Sequence, residues 1–142
     1  MLSNRCCLFL SALVFALCAT LLLSGDARAE DKPIEIKAVK LAETYATDSA
    51  AFDKNYKDKV VEVEGVVDSP KVQDFTTKKN FVLLKGFQKK GDPIPTLVRC
   101  EMTKDLEGLK AGDKVRIKGT CRGYNKTVLF PEVGDCTLLK EK

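Results

Sequence analysis

Three cysteines follow the first 29 residues of this chain, Cys100, Cys121 and Cys136, and the chain contains no histidine. A structural zinc site normally needs four Cys or His ligands, usually with a closely spaced C-x2–4-C pair among them. The number of ligands and their spacing are both wrong for zinc here. The sequence therefore predicts no metal site and no cofactor, and leaves the cysteines to disulfide formation or packing.

Strand parity predicts that the cysteines face inward. Cys100 has the parity of Val98, and Cys121 has the parity of Ile117, so both side chains should point into the core. In an oxidising compartment we expect a disulfide between Cys121 and Cys136, because closing a loop of roughly 15 residues stabilises a fold by about 3 kcal/mol. A Cys100–Cys136 bond and three separate buried thiols are the alternatives.

The sequence lacks the residue combinations of the common catalytic sites. Without histidine there is no Ser-His or Cys-His couple, and the serines beyond residue 29, Ser49 and Ser69, lie in no G-x-S-x-G elbow. Neither a P-loop nor a G-x-G-x-x-G motif occurs. Asp68 and Asp74 could form an acid and base pair, but turn formation explains them better. We expect no catalytic residues and no enzyme activity.

The N-terminus has the features of a secretory signal peptide. Arg5 precedes an apolar stretch over residues 8–23, and small residues at 27 and 29 form a cleavage site. We expect cleavage of residues 1–29, a mature chain that begins at Glu30, and a periplasmic or secreted location. The alternative is a leader kept as a membrane anchor. A lipid anchor is disfavoured, because Cys18 follows Leu17 rather than a small residue at the cleavage point.

Hydrophobic periodicity divides the mature chain into a helical segment, residues 30–58, and a strand-rich segment, residues 59–142. Apolar residues recur at three- and four-residue steps over 36–56, which indicates one helix or two short ones broken near 47–49, where Asp48 could cap the second. Period-two alternation then predicts strands over 61–67, 80–87, 96–102 and 114–121, a short helix or turn over 103–111, and a fifth strand between 127 and 139.

The first and fourth predicted strands carry complementary charges. Glu62 and Glu64 alternate with valines on one, and Arg116 and Lys118 occupy the outward positions of the other. If these strands are neighbours, each cross-strand pair contributes about 0.2–1 kcal/mol. The first and fourth strands meet where a five-stranded Greek-key barrel closes. The fold class we predict is mainly β, a five-stranded Greek-key OB-fold barrel preceded by an N-terminal α-helix.

Several sequence pieces also resemble a known family. They are Tyr45, the stretch over 53–65, Val98-Arg99-Cys100, Gly119-Thr120-Cys121-Arg122-Gly123 and Asp135-Cys136-Thr137-Leu138. Together they resemble the tRNA-anti-like OB-fold family over residues 41–139. The resemblance implies a small barrel preceded by a helix, with a largely uncharacterised activity. The family name is not evidence that this chain binds tRNA. One departure is the long segment over 126–134, with Pro131 inside it, which obscures the start of the fifth strand.

Function should then lie where this fold places it. OB-folds bind oligonucleotides and oligosaccharides on the face of their second and third strands, between the first and last long loops. Basic and aromatic residues interleave in that region and suit stacking on bases or sugars with contacts to an anionic backbone. The candidate ligand-binding residues are Phe75, Lys78, Lys79, Lys85, Phe87, Arg99, Arg122, Tyr124 and Lys126.

The charge balance keeps three ligand classes open. The formal net charge of the full chain is +4, which is lower than the dense basic character of dedicated nucleic-acid binders. We expect an exported binding or interaction module with a protein or polymer partner in the cell envelope. Single-stranded nucleic acid or another anionic polymer is one alternative, and an envelope oligosaccharide is the other. After signal cleavage we expect no stable membrane insertion.

Overall fold

Two short helices follow a first short strand in the computed structural model of the protein, which describes residues 32–104 and 107–139. The strand is β1 (Ile34–Lys37), and the helices are α1 (Ala38–Thr47) and α2 (Ser49–Tyr56). Asp48 separates the helices, and its carboxylate caps α2 by accepting a hydrogen bond of 2.9 Å from the amide of Ala51. This is the two-helix alternative of the sequence analysis, with the cap at Asp48 that it named. The predicted signal peptide, residues 1–29, lies outside the described residues.

Five further strands form the barrel. They are β2 (Val60–Gln73), β3 (Asn80–Phe87), β4 (Thr96–Met102), β5 (Lys114–Cys121) and β6 (Glu132–Leu139). The sheet order is β1-β2-β3-β4-β6-β5, and pairing of β2 with β5 closes it. β6 lies between β4 and β5 and runs parallel to β4. This closed five-stranded β-barrel with its preceding helices is the predicted OB-fold.

The long strand β2 joins the two sides of the barrel. Its first half pairs antiparallel with β5, from Val60 opposite Thr120 to Val66 opposite Lys114. Its second half pairs with β3, and the register shifts twice between Val67 and Val72. Such irregularities bend a strand, so that its two halves can pair with different neighbouring strands. The predicted adjacency of the first and fourth barrel strands is therefore confirmed.

The helical segment is part of the barrel core. Leu41, Ala42 and Phe52 are fully buried with the inward valines of the strands. Glycines let α1 approach closely, because a Cβ on Gly65 would lie 2.8 Å from the Cβ of Ala38, and one on Gly86 would lie 2.8 Å from the Cβ of Ala42. The helix therefore packs directly on the strands β2 and β3 where they lack side chains.

The structure adds one strand to those that the sequence predicts. This strand, β1, pairs in parallel with β2, with Ile34 opposite Val61. The described residues between β4 and β5 form turns, in which Gly112 has a φ of 92°, which is the turn alternative of the sequence expectation. None of the described helices has the length and apolar character needed to cross a membrane.

Candidate binding face and cleft

A tight turn connects β2 to β3 and is organised by Asp74. In this β2–β3 loop (residues 74–79) the carboxylate of Asp74 accepts hydrogen bonds from the amides of Thr76, at 2.8 Å, and Thr77, at 3.0 Å. Its backbone carbonyl accepts from Lys78 and its amide donates to Lys79. The amides of Thr77 and Thr76, together with Arg99, hold the pKa of Asp74 down at about 2. The loop is therefore a preformed turn around an ionised carboxylate.

Arg99, on the outward side of β4, links both loops that border the predicted binding region. Its guanidinium lies 3.0 Å from a carboxylate oxygen of Asp74 and 3.1 Å from one of Glu132, which follows the β5–β6 loop (residues 122–131). It also stacks on the ring of Phe81, 3.6 Å from the ring centroid. Phe81 is only 5% exposed although it lies outside the main core cluster. Arg99 thus covers an aromatic ring on the outside of the barrel.

A second set of ion pairs lies beside the first and centres on Glu101. This carboxylate contacts the ammonium of Lys79 and the guanidinium of Arg122, each at 2.5 Å. Arg122 reaches Glu101 across Gly134 of β6, where an added Cβ would lie 2.6 Å from the guanidinium. Burial raises the pKa of Glu101, but the hydrogen bond from Lys79 and the nearby Arg122 charge outweigh it, and the pKa is lowered overall.

The outer face formed by these residues is electrically balanced at its centre. We call "outer face" the six residues Lys79, Phe81, Arg99, Glu101, Arg122 and Glu132. Each of its three basic side chains has a carboxylate partner in the chain. Half-exposed ion pairs of this kind contribute little stability individually, but they occupy the donors that would otherwise meet a ligand. The centre of the predicted basic face therefore carries no excess of free positive charge.

A cleft of about 380 Å³ adjoins the outer face at Arg122 and Glu132. One wall is the helix α1, whose Tyr45 hydroxyl contacts two backbone carbonyls of the β5–β6 loop, at 2.9 and 2.7 Å. Tyr124 of that loop stacks on Tyr45 with ring centroids 4.9 Å apart, and its amide donates to Asp53 of α2. Burial raises the pKa of Tyr45. The helices therefore fix the conformation of the β5–β6 loop.

The structure distributes the predicted site residues over several places. Lys79, Arg99 and Arg122 come together on the outer face. Phe75 and Lys78 lie at the tip of the β2–β3 loop, while Tyr124 and Lys126 belong to the β5–β6 loop. Lys85 is exposed on β3, and Phe87 packs against the hydrophobic core. Phe87 is thus a packing residue in the structure.

Sequence reasoning missed the residues that complete this region. Glu101, Glu132 and Asp74 come from three different elements, and each supplies a carboxylate to the outer face. Glu101 could have been predicted, because it lies two residues after Arg99 on the same strand and therefore on the same face of it. The partners of Asp74 and Glu132 depend on how the loops fold over the barrel, and no local pattern marks them.

The three cysteines are buried, as parity predicts, and their thiols are free in the structure. Cys100 and Cys121 lie opposite Val133 of β6 from its two sides, about two strand spacings apart, which exceeds disulfide reach. A hydrogen bond with Cys136, together with burial, raises the pKa of Cys100, and burial raises that of Cys121 to about 12. The Cys121–Cys136 bond stays a prediction, and the thiol contact favours the Cys100–Cys136 alternative.

No cluster of metal-ligating side chains occurs in the part of the chain that the structure describes. The thiols of Cys100 and Cys121 are poor nucleophiles, because their raised pKa values keep them protonated. The region consists of a cleft, a set of ion pairs and aromatic side chains. Its chemistry is that of a binding surface.

Comparisons with known proteins agree with the architecture. A solved lipoprotein from Klebsiella pneumoniae subsp. pneumoniae, described as a candidate nucleic acid-binding protein, is similar with a TM-score of 0.55 and 13% sequence identity. The similarity covers 76% of this chain and 92% of that one, and at this identity it shows the fold. No curated protein gives a significant match. The family model described as tRNA_anti-like matches residues 9–132, and the chain belongs to that family.

Proposed function

We propose that this chain is a non-catalytic binding module that acts after export and holds a protein partner across the outer face and its bordering loops. Family membership and the OB-fold support a binding role. The raised thiol pKa values described above support the absence of nucleophilic catalysis. The signal peptide features of the N-terminus support action in the cell envelope.

The observation that carries this proposal is the ion pairing of the outer face. Arg99, Glu101 and Arg122 each have a partner of opposite charge within the chain. A polyanion would have to displace the carboxylates to reach these donors, and it would bring repulsion from them. A protein surface with charges of both signs can match the arrangement without breaking it. The face therefore suits a protein better than a polymer of one charge.

Single-stranded nucleic acid is the second candidate ligand. The similar Klebsiella lipoprotein is described as a candidate nucleic acid-binding protein. In this chain, Lys78, Lys85 and Lys126 show no ion pair within the described ranges 32–104 and 107–139. Lys78 lies in the β2–β3 loop, Lys85 on β3 and Lys126 in the β5–β6 loop, and all three are exposed positive charges. Such a binder would lose affinity steeply with salt, by a slope of roughly 0.7 for each phosphate contacted.

Photo-crosslinking in cells tests the proposal directly. A photo-reactive residue at Lys85, exposed on β3, should give a discrete protein adduct, and the same residue at Val39, which is 51% exposed on α1, should give none. An Arg122→Gln change should weaken the Lys85 adduct because it breaks the contact with Glu101. Adducts of equal yield from both positions, or none from Lys85, would contradict a protein-binding outer face.

Retention on immobilised single-stranded DNA and RNA separates the two candidates. We expect wild type to elute at physiological salt, and a Glu101→Gln, Glu132→Gln double variant to be retained more strongly. In this variant Lys79 and Arg122 lose their carboxylate partner, and Arg99 keeps only Asp74. Strong retention of wild type with a steep salt slope would favour nucleic acid. An Asp92→Lys variant, changed on the β3–β4 loop (residues 88–95), raises the net charge by the same amount and controls for it.

A further inference from the structure

We propose that the tip of the β2–β3 hairpin, residues 71–79, docks reversibly on an anionic lipid surface. The tip combines an exposed aromatic ring, lysines and a turn in which four backbone amides are already hydrogen-bonded. This inference goes beyond the proposed function, since it assigns a lipid contact to the apex of one loop that borders the outer face. It assigns the exported protein a peripheral contact with a bilayer rather than a span across it.

The apolar part of the tip is left uncovered by the residues that the structure describes. Phe75 is 88% exposed at the loop apex, and Val72, on the β2 arm of the same hairpin, is 37% exposed. An aromatic ring so fully exposed is costly in water, and the interfacial region of a bilayer accepts rings of this kind. The ring is also held out rigidly, because Asp74 fixes the turn that presents it.

The backbone of the tip is prepared for a water-poor environment. The amides of Thr76, Thr77 and Lys78 all donate to Asp74, and the amide of Asp74 donates to the carbonyl of Lys79. Groups bonded in this way need no water, and free backbone amides are what keeps ordinary loops out of lipid. The single carboxylate of the tip is compensated by Arg99 at 3.0 Å. The turn can therefore approach acyl chains at low desolvation cost.

The remaining charge of the tip is positive. Residues 71–79 contain Lys71, Lys78 and Lys79 against Asp74, and two of these four, Lys79 and Asp74, have ion-pair partners on the outer face. Lys78 makes no ion pair with another described residue. A lysine near an anionic membrane raises the partition constant about fivefold. Because binding to single-stranded nucleic acid uses successive aromatic platforms along a basic groove, one apical ring in front of a neutral face fits a lipid surface better.

The β3–β4 loop (residues 88–95) offers a matched control. It carries Lys89 and Lys90 and the 65% exposed Ile94, so its composition is similar to that of the hairpin tip. Its carboxylate, on Asp92, has no ion pair to compensate it among the described residues. We expect this loop to stay in water.

Tryptophan fluorescence tests the proposal, because the chain contains no tryptophan. The full chain with Phe75→Trp is mixed with vesicles of phosphatidylglycerol and phosphatidylethanolamine, in parallel with the Ile94→Trp variant. The emission of the tryptophan at position 75 should shift to shorter wavelength and be quenched by brominated lipid, and that at position 94 should do neither. Each probe reports its own depth, so the result holds whether the leader is cleaved or kept.

Charge dependence completes the test. Vesicles of phosphatidylcholine should give no shift at position 75, and adding Lys78→Gln should lower partition into anionic vesicles about fivefold. Equal quenching at positions 75 and 94, or none at 75, would overturn lipid docking. A response of the position-75 probe to single-stranded DNA but not to vesicles would also overturn it and would support the nucleic-acid candidate. The crosslinking test from Lys85 is independent of these results.

Discussion

The residue type of Arg99 predicts ligand contact, but its surroundings in the structure give it a positioning role. As a basic residue on the second or third barrel strand, it was a candidate for ligand contact. In the structure it stacks on Phe81 and bonds carboxylates from two loops, Asp74 and Glu132. A guanidinium suits this because its planar donors can serve two partners at once while its face covers a ring. Arg99 therefore positions the borders of the outer face.

Acid should reveal the contribution of Asp74 to stability. Its folded pKa, about 2, lies below the value of about 3.9 for an unfolded aspartate. Its ionisation therefore favours folding above about pH 4, and the advantage is lost as the pH falls toward 2. In urea unfolding, Asp74→Asn should be less stable than wild type at pH 7, and the difference should shrink between pH 5 and 2.

An Asp92→Asn variant is the control for this profile, since that carboxylate has no ion pair among the described residues. A difference between wild type and Asp74→Asn that stays constant down to pH 2 would show that the amide of the variant fails for steric reasons. The Asp74 charge would then have no share in the stability of the turn.

At the level of secondary-structure elements, the sequence was most informative about strand pairing. Alternating valines with outward acids on β2 and outward bases on β5 predicted that the two strands meet, and Glu62 does lie opposite Lys118. The ion pair, however, is diagonal: Arg116 lies 3.1 Å from Glu62 and also reaches Glu35 of β1 at 3.7 Å. The unpredicted strand β1 thus changes which charges couple.

Double-mutant cycles should detect that diagonal pairing. Coupling between Glu62→Ala and Arg116→Ala should be no more than about 1 kcal/mol, because the pair is partly exposed. Coupling between Glu64→Ala and Lys118→Ala should be close to zero, since these two side chains form no ion pair in the described structure. Free energies of unfolding from urea titration provide the measurement. Equal coupling in both cycles would contradict the side-chain arrangement.

What the sequence could not supply depends on contacts between distant elements. Period-two patterns predict four barrel strands because alternation is local, and they also predict that Cys100 and Cys121 face inward. The fifth strand was placed only within residues 127–139. The pairing of cysteines depends on register, and β6 shifts its register near Asp135, whose φ is 53°. The four residues of β1 are too few to show a period. The outer face needs carboxylates from three elements, which only the folded barrel brings together.

At the scale of the whole molecule, the helical segment and the barrel form one hydrophobic core. The sequence divides the mature chain into residues 30–58 and 59–142, and that division stays a prediction about chain organisation. In the structure, α1 and α2 bury Ala38, Leu41, Ala42, Tyr45 and Phe52 among the strand residues. Large side chains buried in this way contribute about 1.5–3 kcal/mol each. Their sum is comparable to the total stability of a small domain, about 5–15 kcal/mol.

Removal of the helices should therefore unfold the barrel. A fragment of residues 59–142 should show no cooperative thermal transition in circular dichroism, whereas residues 30–142 should show one. Two substitutions in α1 separate core packing from chain length. Leu41→Ala, at a fully buried position, should cost about 2–5 kcal/mol, and Val39→Ala, at a position 51% exposed, about 0.5 kcal/mol or less. A fragment that melts cooperatively at the temperature of the longer chain would show that the barrel is an independent folding unit, with the helices only lying on its surface.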